Sequence, residues 1–153
     1  MIKQVDHKDE YPIAAGLFHE YAVWLNIDLS FQNFEKELAG ISEMYAPPNG
    51  CIFLFIDNGI FVGCVAVRKM DTFKAELKRM YVRDAYRKKG VGQHLLDAAL
   101  NFAQSAGYHS ILLDTLSNMI PAMNLYKKNG FKEIPAYYHN PHDNAVYFEK
   151  KLI

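Results

Sequence analysis

The spacing of apolar residues changes period along the chain, and each change predicts an element. In "YPIAAGLFHEYAVWL", residues 11–25, Ile13, Leu17, Tyr21 and Trp24 recur at steps of three and four, the stripe of an amphipathic helix. "SFQNFEKELAG" predicts a second short helix, with Ser30 as N-cap candidate and Gly40 as its stop. Pro47-Pro48-Asn49-Gly50 reads as a loop. "CIFLFI" and "IFVGCVAVRKM" are apolar runs rich in β-branched and aromatic residues, and Asp57-Asn58-Gly59 joins them as a hairpin. "FKAELKRMYV" is a third strand whose alternation slips: Ala75 and Leu77 are apolar on odd positions, Met80 and Val82 on even ones. A change of phase inside a strand is what a β-bulge produces, although a strand buried on both faces would look similar.

From Gly90 the period becomes helical, with Val91, Leu95, Ala99 and Phe102 on one stripe and Gly107 ending it. "SILLDTL" is a short buried strand. "NMIPAMNLYKKNGF" is a helix with Asn118 as cap candidate, Pro121 in its first turn and Gly130 after its last. "FKEI" and "NAVYFEKKL" are closing strands around a loop rich in Tyr, His and Pro. The order is strand, two helices, three strands, helix, strand, helix, two strands. Hairpins followed by a βαβ unit predict an α/β (α+β) fold: a mixed, mostly antiparallel sheet of about seven strands with helices on both faces.

Composition narrows the class. The 153 residues suit one domain spanning 1–153, and half of them are hydrophobic, enough for a substantial core. Seventeen basic residues balance seventeen acidic ones, which gives no support to a nucleic-acid or anionic-membrane partner. No apolar run approaches the roughly 20 residues of a membrane helix. The start, "MIKQVDHKDEYP", is not a signal peptide, and Cys51 and Cys64 cannot build a secreted disulfide framework and read as buried small hydrophobes. A cytoplasmic location is the expectation.

The chemistry concentrates in "VRDAYRKKGVGQHLL", residues 82–96. Arg87, Lys88 and Lys89 stand against Gly90-Val91-Gly92 where a strand passes into a helix. A helix start presents unpaired N–H groups and partial positive charge, and glycines let the backbone curl around an anion. The turn therefore reads as a phosphate or diphosphate site, with a solvated basic turn as the alternative. It has neither the Walker string nor a third glycine for a dinucleotide fingerprint.

"MYVRDAYRKKGVGQHLL" resembles the cofactor motif of the GCN5-related N-acetyltransferase (GNAT) superfamily, [QR]-x-x-G-x-[GA], through Arg87, Gly90 and Gly92. "AMNLYKKNGF" resembles the family's A-x-x-L-Y-x-x-x-G-F segment through Ala122, Leu125, Tyr126, Gly130 and Phe131. The order of elements matches as well, so the resemblance covers nearly the whole chain. It implies the acyl-CoA N-acyltransferase fold with a splayed strand pair, acetyl-CoA as cosubstrate, no metal, and transfer of acetyl to a primary amine of a small molecule or amino acid. The implied cofactor contacts are Met80, Tyr81, Val82, Arg87, Lys88, Lys89, Gly90, Val91, Gly92 and Gln93. Many members carry Asn three residues before the motif alanine; here Met119 stands there and Asn118 is the nearest substitute.

Direct attack needs a base for the amine and an acid for the departing thiolate, whose pKa is about 8.5. Glu76 is the candidate base, the acid that interrupts an apolar and basic strand; pairing with Lys78 or Lys3 is its structural alternative. Tyr126, at the family's tyrosine position, is the candidate acid. Trp24, Tyr138 and His139 are candidate acceptor contacts, with a core Trp as the blander alternative for Trp24. His139 and His142 lie in a Pro-containing loop, without zinc spacing. The competing functions are a non-catalytic acyl-CoA binding or sensing module, a peptide or protein amine acetyltransferase, and, least favoured, a nucleic-acid module. Many relatives are dimers, so a homodimer is open.

Overall fold

A computed structural model describes residues 1–153, apart from the side chain of Phe31. The described residues form a seven-stranded sheet in the order β1-β2-β3-β4-β5-β7-β6. Its strands are β1 (Ile2–Gln4), β2 (Cys51–Asp57), β3 (Ile60–Lys69), β4 (Lys74–Val82), β5 (Ser110–Leu116), β6 (Lys132–Ile134) and β7 (Ala145–Lys151). Only β4 and β5 run parallel; the other neighbours are antiparallel. The expected mixed, mostly antiparallel sheet is observed. Asn58 (φ 49°) and Gly59 (φ 78°) make the tight β2–β3 turn, both left-handed, as a two-residue hairpin loop of this twist requires.

Helices cover both faces. On one face, α4 (Val91–Ser105) and α5 (Ile120–Lys128) pack Leu95, Leu96, Ala99, Ala103 and Tyr126 against Val65, Val67, Leu77, Ile111 and Leu113. On the other, α1 (Tyr11–Leu25), α2 (Phe34–Ala39) and α3 (Ile41–Met44) pack Leu17, Phe18, Phe34 and Ile41 against Leu54, Cys64 and Ala66. Strand alternation makes this division: Cys51 and Phe53 serve the first core, Ile52 and Leu54 the second. Both cysteines are free and buried, and burial pushes their thiols up. Among the described residues no helix is long and apolar enough to cross a membrane.

Three details differ from the sequence reading. The α1 stripe is rotated: Ala14, Leu17 and Phe18 are buried, while Trp24 is 38 % exposed and not core. The second helix is divided. Ser30 opens a short 3-10 turn instead of capping, left-handed Asn33 (φ 57°) interrupts the chain, and α3 follows Gly40. The N-cap of α5 is Met119, without a side-chain cap bond, because the chain enters one residue later than Asn118 would require.

The feature that positions the site is the incomplete β4–β5 ladder. The two strands pair only at Lys74↔Ser110, Ala75↔Ile111 and Glu76↔Leu112. Beyond that, β4 stays with β3 as far as Val82, and β5 stays with β7 as far as Leu116. The sheet therefore opens into a V, and the β5-facing backbone groups of β4 past Glu76 meet no strand.

Candidate active site

The V opens at the phase slip noted in the sequence. Cys64 pairs with Tyr81 and Ala66 with Lys78, so one residue of β3 faces two of β4, Arg79 and Met80. This is a β-bulge. Arg79 lies in the left-handed region (φ 59°), a conformation costing a non-glycine residue roughly 1–2 kcal/mol. Its side chain is held by two hydrogen bonds to Glu37, which also accepts one from Tyr45. After the bulge Met80 and Val82 face the α4 side, and Tyr81 faces α1.

The glycine turn lies at the open end of β4. Lys88 (φ 62°) and Gly90 (φ 81°) are left-handed on either side of Lys89, and Gly90 is the N-cap of α4 with no side-chain cap bond. The first N–H groups of α4, from Val91, Gly92 and Gln93, thus have no partner within the helix. A Cβ on Gly92 would meet only Leu125 Cδ2 at 3.5 Å, ordinary contact, so protein packing does not require glycine there. Lys88 and Lys89 are exposed, and Lys89 lies 5.6 Å from the Tyr86 ring centre. Arg87 is held from three sides: its Nε donates to the Val82 carbonyl at 2.8 Å, it pairs with Asp84, and its guanidinium stacks 4.2 Å from the Trp24 ring centre. Gln93 exchanges amide hydrogen bonds with Asn129.

A cleft runs through the V. Leu77, Lys78, Arg79 and Met80 line it from β4, and Leu113 to Leu116 from β5. Tyr21, Leu25, Gln32, Met119, Ala122, Tyr126, Asn140 and His142 close it from the helices and the last loop. Tyr126 packs on Phe131 and Phe148, and its hydroxyl makes no hydrogen bond to another described residue. Burial pushes its phenol up, so it stays protonated at neutral pH. Asp114 accepts a 2.7 Å hydrogen bond from Tyr138, whose hydroxyl also receives bonds from Gln32 and Asn140. Burial raises the Asp114 carboxyl above the usual carboxylate range, with the Tyr138 bond opposing. Burial likewise draws the Lys78 ammonium below its ordinary value.

The other residues chosen from sequence fall around this cleft unevenly. Glu76 is 3 % exposed and does not line it. Its oxygens are occupied by Arg68 Nε at 2.7 Å and Tyr137 hydroxyl at 2.7 Å, neither of the partners expected. Tyr138 stands behind Asp114. His139 and Asn118 are exposed and outside the lining, where Asn140, His142 and Met119 appear instead. Trp24 stacks on Arg87 and Tyr81 outside the cleft. Sequence reasoning passed over Asp114, Lys78 and Gln32. Only Asp114 carried a signal, as the one charge in the apolar strand "SILLDTL".

Comparison with known proteins identifies the family of the chain and of its fold. The family model described as "Acetyltransferase (GNAT) family" matches residues 14–131. An uncharacterized N-acetyltransferase of Schizosaccharomyces pombe is 39% identical over 138 residues, 89% of this chain and 85% of that protein. An N-acetylaspartate synthetase of Xenopus tropicalis is 34% identical over 106 residues, 68% of this chain and 39% of that protein. In fold, a GNAT-family acetyltransferase from Staphylococcus aureus superposes with a TM-score of 0.80 at 24% identity, covering 100% of both chains. One from Elizabethkingia anophelis, solved with acetyl-CoA bound, superposes with a TM-score of 0.70 at 20% identity, over 98% of this chain and 97% of that one. The chain belongs to the acetyltransferase (GNAT) family and is an acetyl-CoA-dependent N-acetyltransferase.

Proposed function

We propose that the protein moves the acetyl group of acetyl-CoA to the primary amine of a small molecule or amino acid by direct attack in the β4–β5 cleft. The observation that carries this reading is the shared cleft: a protonated tyrosine, Tyr126, and a half-buried carboxylate, Asp114, line the same opening between β4 and β5. The glycine turn suits a diphosphate, because it offers uncapped helix N–H groups, left-handed corners and exposed Lys88 and Lys89. Beyond Glu76, β4 offers unpaired backbone to an extended amide-bearing arm, in the manner of an added strand. An N–H group within Met80–Val82 would donate to the acetyl carbonyl oxygen as negative charge develops there, an effect worth roughly 3 kcal/mol in other acyl transfers.

Asp114 accepts the proton that the attacking amine sheds as its N–C bond forms. Tyr126 donates its proton to the sulfur as the C–S bond breaks. Asp114 takes the base role in this reading because it lines the cleft, whereas both oxygens of Glu76 are held by Arg68 and Tyr137 on the sheet face. An amino-acid acceptor is favoured by the likeness to a protein named N-acetylaspartate synthetase.

The test is thiol release from acetyl-CoA across a panel of primary amines and amino acids, with wild type beside Tyr126→Phe and Asp114→Asn. Turnover with at least one acceptor, lowered about 100-fold or more in each variant, is the expected result. Saturable CoA binding with no turnover on a broad panel would favour an acyl-CoA sensor.

A further inference from the structure

The cleft holds two groups that the proton transfers do not use, and they are of opposite character. Lys78 projects from the α1 face of β4, next to Glu76 on the same side of the strand. Every acid around it is already engaged. Glu76 is bound by Arg68 and Tyr137, Glu37 by Arg79 and Tyr45, and Asp114 by Tyr138. No carboxylate among the described residues comes within ion-pair distance of the Lys78 ammonium. The neighbouring cation, Arg79, spends two of its donors on Glu37. The second group is the side-chain carbonyl of Gln32. It is buried in the same cleft wall without a donor, while the amide nitrogen of that side chain is fixed at 2.9 Å on the Tyr138 hydroxyl.

A partly desolvated cation without its anion and a buried acceptor without its donor each forfeit interactions that water would have supplied. One ligand satisfies both if it carries an anionic group for Lys78 and N–H donors for Gln32. Asp114 accepts from the same Tyr138 hydroxyl to which the Gln32 side-chain nitrogen donates, so the proton acceptor and the Gln32 amide flank one hydroxyl. The amine of the ligand then lies at the Asp114–Gln32 side and its anion at Lys78.

We infer that the acceptor is an amino acid whose carboxylate is read by Lys78 and whose amino group is oriented by Gln32, so that Lys78 is the specificity-determining residue of the cleft. This rests on the acetyl-transfer reading above and adds to it a defined acceptor class and a residue that selects it.

The test compares amino acids with their size-matched carboxamides and decarboxylated amines, in wild type, Lys78→Met and Lys78→Arg. In wild type the carboxylate should raise kcat/KM roughly 10- to 100-fold over the neutral analogue, the range of a hydrogen bond to a charged group. Lys78→Met should remove that preference through KM for the acids, so that acids and their neutral analogues are used about equally. Lys78→Arg should retain part of it. Equal use of acids and amides by wild type, or an unchanged preference in Lys78→Met, overturns the inference. A parallel calorimetric titration of the CoA-saturated protein with the same compounds needs no turnover. Lys78-dependent binding of the carboxylate without acetylation would support the acceptor site and count against the transfer reading. Equal heats for acid and amide would overturn the acceptor site alone.

Discussion

Arg79 and Glu37 are joined by two hydrogen bonds, Nη2 to Oε1 at 2.7 Å and Nε to Oε2 at 3.0 Å, with the pair 6 % and 1 % exposed. The link ties α2 to the left-handed corner of β4, and so holds the opening of the sheet to the wall that contributes Gln32. Removing one partner leaves the other charged and buried. Glu37→Gln and Arg79→Met should each lower unfolding free energy by about 3–5 kcal/mol, read by urea denaturation, whereas replacing both with apolar residues should recover much of the loss.

The same pair gives an acid dependence of stability. Burial alone would raise the Glu37 carboxyl, and the hydrogen bond and charge of Arg79 outweigh it, so its folded pKa is depressed. A depressed acid stabilises the fold above its unfolded value, about 4.3, and that contribution disappears as pH falls through the lower folded value. Unfolding free energy measured from pH 7 to pH 3 should fall more steeply for wild type than for Glu37→Gln.

Tyr126→Phe separates chemistry from structure. The hydroxyl makes no hydrogen bond to another described residue, and the ring packing on Phe131 and Phe148 survives the change. Thermal unfolding and CoA affinity should therefore stay near wild type while kcat drops about 100-fold or more. A fall in melting temperature of equal severity would assign the tyrosine to the core instead.

Asp114 should appear in the pH profile. It is faced by Tyr138 from the last loop and by Glu76, Lys78 and Arg79 from β4, and burial, the largest influence, raises its carboxyl. A base must be ionised, so kcat/KM should rise with pH through a value above the usual carboxylate range. The acceptor amine's own ionisation adds a second rise at higher pH. Tyr138→Phe removes a hydrogen bond to the charged form and should move the lower limb upward. Asp114→Asn should abolish that limb.

Gly90→Val should act on the cosubstrate. At φ 81° a β-branched residue is strained by roughly 1–2 kcal/mol although nothing lies within 4 Å of the added carbon. Relaxation of that strain would turn the first N–H groups of α4 away from their common focus. KM for acetyl-CoA should rise several-fold or more in steady-state assays, with a smaller change in kcat.

What the sequence revealed was local. The bulge was written as a one-residue phase slip between Leu77 and Met80, and the glycine turn as a change from period two to helical period. The partners of Glu76, Arg79 and Lys78 were not legible, because they depend on cross-strand register and on where α2 docks. Arg68 faces Glu76 only through the β3–β4 pairing. Glu37 lies 42 positions from Arg79. Trp24 looked like a core residue by spacing, yet α1 buries Ala14, Leu17 and Phe18 instead and leaves Trp24 to stack on Arg87. The acid in "SILLDTL" was readable in composition, but its place in the cleft required knowing that β5 parts from β4 after Leu112.

A crystal structure of the protein with acetyl-CoA is the most direct examination of the cleft as an acetyl-transfer site. The expected electron density has the diphosphate against the N–H groups between Lys88 and Gln93, the extended arm along β4 past Glu76, and the sulfur beside the Tyr126 hydroxyl. Density for the molecule on another surface, with the V between β4 and β5 filled by protein side chains, would contradict it.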